Sequence, residues 1–275
     1  MALQYFIPTV WSETLYRELD KEYIGVKNCS RDFEGDIKKM GDTVKILGVG
    51  PVSVFDYTKN KDMTAPEELT DSERTLKIDQ AKGFNFLIDD IDTVQSSPKL
   101  MQEAMHRAAS ALSDAADSYI YDLYKNADSG NIITEAALSD ENVLDLLLGT
   151  RQKLMENNVP GSEEIVLEVP PAVASIILKA KVLYDTSNSE MLEKGCLGSF
   201  MGFRIFVSNN IKASGGSYQC FARTKRAIAF AEQINEVEAY RPEKRFADAV
   251  RGLHLYGAKI VYPKELFILS VKTAD

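Results

Sequence analysis

The chain is poor in the residues that most often carry chemistry. Its 275 residues hold three cysteines, Cys29, Cys196 and Cys220, and two histidines, His106 and His254. The thiols are scattered, with no second cysteine or histidine at ligand spacing, which excludes a disulfide framework and a zinc knuckle. They read as small apolar side chains in a reducing compartment. His106 falls inside a long helical pattern beside Arg107, and His254 inside a strand pattern. Neither belongs to a motif that pairs a nucleophile with an acid or a base. No window approaches the roughly 18–20 unbroken apolar residues that span a bilayer. The N-terminal stretch MALQYFIPTVWSETLYRELDKEY lacks a basic segment followed by an apolar one, so no export signal is expected. Positive charge is not in excess either. A net charge of −9 argues against a protein whose main task is to coat nucleic acid, although it leaves room for one that encloses nucleic acid without gripping it.

Ligand-cradling patterns are missing as well. The carboxylates Asp89, Asp90 and Asp92 lack the spacing and the glycine of a calcium loop, and with Glu67 and Glu68 they read as solvated acids. Gly48-Val49-Gly50-Pro51 and Gly215-Gly216 match neither a Walker pattern nor a dinucleotide fingerprint, and read as bends. No cofactor and no metal is implied, and no catalytic set assembles.

What is present is an ordinary balance of 45% hydrophobic and 27% charged residues, in a chain long enough to split into domains. Ser12 can cap a short amphipathic helix in which Leu15, Leu19 and Tyr23 share a face. After Gly35 the period changes to two. Val44 and Ile46, then Val52 and Val54, and later Leu76, Ile78, Phe84, Phe86 and Ile88 alternate with smaller or polar residues. Between them lies the polar stretch YTKNKDMTAPEELTDS, residues 57–72. Residues 43–90 therefore read as one long hairpin with a polar tip. A two-stranded hairpin cannot bury its own apolar face, so it needs a surface to lie on. That surface is another copy of the chain or, as the open alternative, the hairpin's own domain.

Ser97 and Pro98 can start a long helix that runs to about Lys125, with Leu100, Ala104, Ala108, Leu112, Ala115, Tyr119 and Leu123 as its apolar stripe. From 134 to 240 helices and strands alternate. A helix opens at Ser139-Asp140-Glu141, EEIVLEV is a strand, Pro170-Pro171 starts a second helix, and FRIFVS is another strand. Residues 247–271 read as a closing hairpin broken at Pro263. The basic groups Arg223, Lys225, Arg226 and Arg241, Lys244, Arg245, Arg251 are interleaved with Glu232, Glu236, Glu238, Glu243 and Asp248, and read as a solvated or subunit-bridging face.

CLGSFMGFRIFVSNNI (196–211) resembles a segment of tailed-bacteriophage major capsid proteins in which a glycine-bounded loop leads into a strand and then Ser-Asn-x-Ile. The run from Arg226 to Val271, centred on Tyr256-Gly257-Ala258, resembles their C-terminal third, and the order of arm, long loop, long helix and inserted domain is similar throughout. The resemblance implies an α+β chain with the Hong Kong 97 capsid fold. Its parts would be an N-terminal arm (1–36), an extended loop (37–92), a peripheral domain with a spine helix (93–133 and 241–275) and an inserted axial domain (134–240).

It further implies that the loop tip, Lys59, Asn60, Lys61, Asp62 and Met63, contacts a neighbouring subunit, and that Gly198, Gly202 and Gly257 are structural glycines. The chain would be a non-enzymatic shell subunit made in a bacterial host and resident in the virion. Its partners would be many copies of itself, a portal and packaged double-stranded DNA held without specific contacts. Because the arm starts at Met1 with no acidic helical region before it, a separate scaffolding protein, or none, is expected. Three alternatives stay open: an encapsulin-type compartment, a soluble α/β enzyme, and another virion part such as a tail or connector subunit.

Overall fold

The computed structural model describes Leu15 and residues 23–32, 41–49, 56, 59, 71–89, 99–184, 198–243 and 247–273. Strands β1 (Thr43–Val49), β2 (Asp71–Lys77) and β3 (Gln80–Asp89) precede the long helix α1 (Lys99–Asp122). Then follow β4 (Ile132–Leu138), α2 (Val143–Glu156), β5 (Ile165–Val169), α3 (Pro171–Tyr184), β6 (Ser199–Phe200), β7 (Phe203–Val207), β8 (Ala213–Ser214) and β9 (Ser217–Thr224). Two long strands, β10 (Ile228–Tyr240) and β11 (Ala247–Ile260), and finally β12 (Leu266–Thr273) complete the described elements.

Three sheets result: β1–β2; β10–β11–β3; and β4–β12–β9–β5–β7–β6, with β8 added beside β9. The mixed helix and sheet content agrees with an α+β chain. The largest sheet pairs β12 with β4 and β5 with β7 in parallel, and its other neighbours are antiparallel. One face is covered by α2 and α3. Leu147 and Leu154 from α2 and Val173 and Ile177 from α3 pack on Leu167, Phe203, Ala222 and Leu269. The opposite face carries Phe221 and Ile268, which join α1 and the β10–β11 sheet in a second core around Ile120, Phe230 and Tyr256. A third cluster holds β1–β2 against the other side of the β10–β11 sheet.

The structure departs from the sequence reading at four points. First, among the described residues the hairpin pairs Thr43–Val49 with Asp71–Lys77, Val52 and Val54 lie outside those residues, and β3 leaves the hairpin to pair with β11. The alternation of Leu76, Ile78, Phe84 and Phe86 continues through the changeover, because a period of two reports a half-buried strand and not its partner. Second, the C-terminal strands form no hairpin with each other. Pro263 opens a tight helical turn, Pro263–Glu265, after which β12 joins β9 and β4. Third, β10 lies before residue 241 yet belongs with β11, and β12 lies after it yet belongs with the strands of 132–224. Fourth, the buried apolar residues of α1 are Met105, Ala109, Leu112, Ala116, Ile120 and Tyr121, with Ser113 and Asp117 also buried, and Leu123 is buried in the turn that follows the helix. Of the expected stripe, Ala104, Ala108, Ala115 and Tyr119 are half-buried flanks, since a buried serine and aspartate disguise the true phase.

Candidate functional site: the hairpin root and the N-terminal strap

Lys59 lies in an exposed turn, and Asn60, Lys61, Asp62 and Met63 lie outside the described residues. Gly198 precedes β6 and Gly202 lies with Met201 in the turn between β6 and β7; all three have positive φ, +52 at Gly198 and +82 at Gly202. Arg151 of α2 fills the space above Gly202 and donates from Nη1 to the Met201 carbonyl at 2.7 Å. A Cβ at Gly202 would collide with that guanidinium, whose Nη2 would be 2.9 Å away. Gly257 sits in a different sheet, so the three glycines do not meet.

At Gly257 the backbone of β2 crosses directly over β11. A Cβ there would strike the Lys77 carbonyl oxygen and lie 3.0 Å from its carbon and 3.1 Å from the Ile78 Cα. The missing side chain lets the root of the hairpin seat on the sheet. Val44, Ile46, Leu76 and Ile78 then bury against Ala229, Ala231, Leu255 and Val261. Backbone bonds from Ile78 to Asp42 and from Gly41 to Ile78, at 3.1 and 2.9 Å, close the root, with Gly41 at φ +90.

Residues 23–31 form a strap between the two larger sheets, held from both sides. On the β9 side, Arg223 is 0% exposed. Its Nε and Nη2 donate to the two Glu168 oxygens at 3.0 and 2.9 Å, Nη2 also donates to the Gly25 carbonyl at 2.9 Å, and Nη1 donates to the Asn28 carbonyl. Asn28 returns a hydrogen bond from Nδ2 to Glu168 at 2.9 Å. On the β10 side, Glu232 accepts from the Tyr23 hydroxyl and from Arg31, and pairs with His254 Nε2 at 2.8 Å. Asp117 of α1 caps the strap backbone, accepting from the Ile24 and Val26 amides at 2.9 Å each. Ser30 adds one parallel bridge to Ala229.

Sequence reasoning placed Arg223 and Glu232 on a solvated or bridging face. Both are buried, which corrects that expectation. A signal did exist: Glu168 interrupts IVLEV, a strand apolar on both faces, and a charge in such a run must find a buried partner. Its partner, from a strand some 55 residues on, is not visible in one dimension.

His254 is fully buried, and His106 is exposed on α1. Burial pushes the Cys29 thiol up to about 11, and Cys220 is buried as well. Among the described residues no cluster of His, Cys, Asp or Glu is placed to hold a metal, and no helix is long and apolar enough to cross a membrane. The chemistry this arrangement performs is the holding of one backbone segment.

Burial pushes the Asp117 carboxyl up from 3.8 to about 6, against the downward pull of the strap amides. A raised carboxyl pKa means that the native state holds the proton more tightly than the unfolded chain. Its contribution is complete below pH 3.8 and is lost as pH rises through about 6. The melting temperature of the wild type relative to Asp117→Asn should therefore fall by about 2–5 °C between acid and neutral pH. Calorimetry across that window checks it, and a constant difference would rule the titration out.

A family model described as phage capsid protein matches residues 72–269. No curated protein matches the sequence. Among solved structures, one from Mycobacterium phage Che8 is 30% identical, covers 90% of each chain and superposes with a TM-score of 0.73. The asymmetric unit of the bacteriophage PhiM1 mature capsid is 15% identical, over 92% of this chain and 88% of that one, with a TM-score of 0.70. The capsid structure of Cyanophage P-SCSP1u is 13% identical, over 86% and 85%, with a TM-score of 0.69. At those two lower identities the likeness is one of fold.

Proposed function

This chain belongs to the phage capsid protein family, and from that premise we propose how its parts divide the work of building a shell. It is a major capsid protein, a structural component of the virion that assembles in many copies. The match of the phage capsid protein family model to residues 72–269, with the Che8 structure alike over nine-tenths of both chains, carries that statement. The division of labour is the proposal. The β1–β2 hairpin, within an extended loop spanning 37–92, reaches a neighbouring subunit, with Lys59 to Met63 at its tip. Support comes from the hairpin's apolar contacts, which among the described residues all come from its root. The seven-stranded sheet with α2 and α3 acts as the axial domain, and α1 with the β10–β11–β3 sheet as the peripheral domain. The strap, residues 23–31, is part of the arm (1–36).

The subunit works by contact and not by catalysis. Small contact energies, repeated by symmetry, sum to a closed shell and cover the strand edges that a free subunit exposes. A portal and a separate scaffolding protein are proposed as further partners, on the family likeness. Double-stranded DNA is enclosed without specific binding, which the net charge of −9 supports.

Replacing residues 59–70 with a short Gly-Ser link tests the hairpin. The variant should melt within about 2 °C of wild type, because the deleted segment lies beyond the buried root. Particle yield, read by negative-stain microscopy and sedimentation, should fall about tenfold for each ~1.4 kcal/mol of association energy removed per subunit. Undiminished yield would overturn the inter-subunit role.

A further inference from the structure

We propose that Arg74 is the positioning residue that aims the hairpin. This rests on the reading above, that the hairpin reaches a neighbour. Arg74 lies on the buried face of β2 with Leu76 and Ile78, opposite Ile46, where alternation calls for an apolar side chain. Its Nη1 donates to the carbonyl oxygens of Val261 and, at 3.4 Å, Ile260. Those carbonyls end β11 at a braced corner, where the Val261 and Tyr262 amides both donate to the Ala227 carbonyl at 2.8 and 3.2 Å.

The hairpin root is thus fixed at two points on one strand. Lys77 rests on Gly257, and Arg74 grips residues 260–261. Three residues of β2 separate the two points, a baseline of about 10 Å. One point allows a pivot, whereas two set a direction. Without the grip, a displacement of about 1 Å at position 74 becomes about 2 Å at Asp71, twice as far from the fulcrum, and grows further toward the tip. The arginine also supplies a donor to two carbonyls at the end of β11. Lysine can reach the same oxygens with a single point charge, but cannot brace the strand as a planar guanidinium does.

Arg74→Ala and Arg74→Lys test this in two settings. In the unassembled chain, amide exchange in β1 and β2 should rise about tenfold for alanine and less for lysine, while β5 and β9 stay unchanged and report an intact subunit. In assembly, alanine should yield shells of broadened diameter together with open or malformed sheets, and lysine should restore part of the wild-type distribution. Should alanine fail to fold, the lysine variant decides on the same two readouts. Unchanged exchange in β1 and β2 overturns the grip, and shells of wild-type yield and diameter overturn the aiming role. If wild type itself forms no shells under any condition, the reading of the hairpin as an inter-subunit element falls. The exchange measurement then still decides whether Arg74 holds the root.

Discussion

Arg223→Met is expected to cost the subunit about 3–5 kcal/mol, because it leaves a buried carboxylate without its partner. Glu168 is as fully buried as Arg223, and the pair is bidentate. Removing the guanidinium also strips donors from the carbonyls of Gly25 and Asn28, so the strap loses its hold on the β9 side. Burial raises the Glu168 carboxyl pKa, and Arg223 and Asn28 pull it back. With Arg223 gone, the carboxyl takes up a proton or the strap opens to admit water. The companion Arg223→Met/Glu168→Leu should recover a good part of the loss, since a well-packed apolar pair replaces a desolvated ionic one at little net cost. Urea unfolding followed by far-UV circular dichroism measures both. A single variant that unfolds at the wild-type midpoint would mean that the clamp contributes nothing.

Gly257→Val should separate folding from assembly. The added side chain meets backbone, the Lys77 carbonyl, which cannot rotate away as a side chain could. Overpacking of this kind costs about 1–3 kcal/mol. Its larger consequence is geometric. To relieve the clash, β2 must lift from β11, which withdraws Leu76 and Ile78 from their cluster and turns the hairpin away. Purified Gly257→Val should therefore stay folded, with a lower melting temperature, and lose shell formation by about tenfold or more. Gly257→Ala should fall between the two. Sedimentation velocity on matched samples reads the outcome, and normal shells from the valine variant would show that the root can shift without consequence.

Much of the secondary structure was legible because it is written in local patterns. The helix after Pro170 and the strand FRIFVS appear close to where apolar period, proline and flanking turns placed them. β4 was missed. It is an edge strand whose exposed positions include Ile132, Ala136 and Ala137 and whose half-buried positions include Glu135, so apolar and polar residues do not alternate with burial. Of the residues that hold the strap, none was identified from the sequence. Tyr23 fits one face of an amphipathic helix, Asp117 fits a helix surface, and Glu232 fits a solvated face. Each is a polar residue whose role depends on a partner dozens to hundreds of positions away.

By itself, the sequence determined the class of this protein. Short-range periodicities placed many of its helices and strands, and the resemblance of a few glycine-centred segments to capsid proteins pointed to an α+β shell subunit. Only the tertiary structure decided which strands pair, that β3 leaves the hairpin for β11, that β12 crosses to the larger sheet, and that Arg74, Arg223 and Glu168 face inward. The physical reason is the range of the interactions. Burial of an apolar stripe is set by neighbours three or four residues away along a helix, or two along a strand. The burial of a charge becomes tolerable only when a distant partner and its hydrogen bonds arrive together, and no window of sequence contains both.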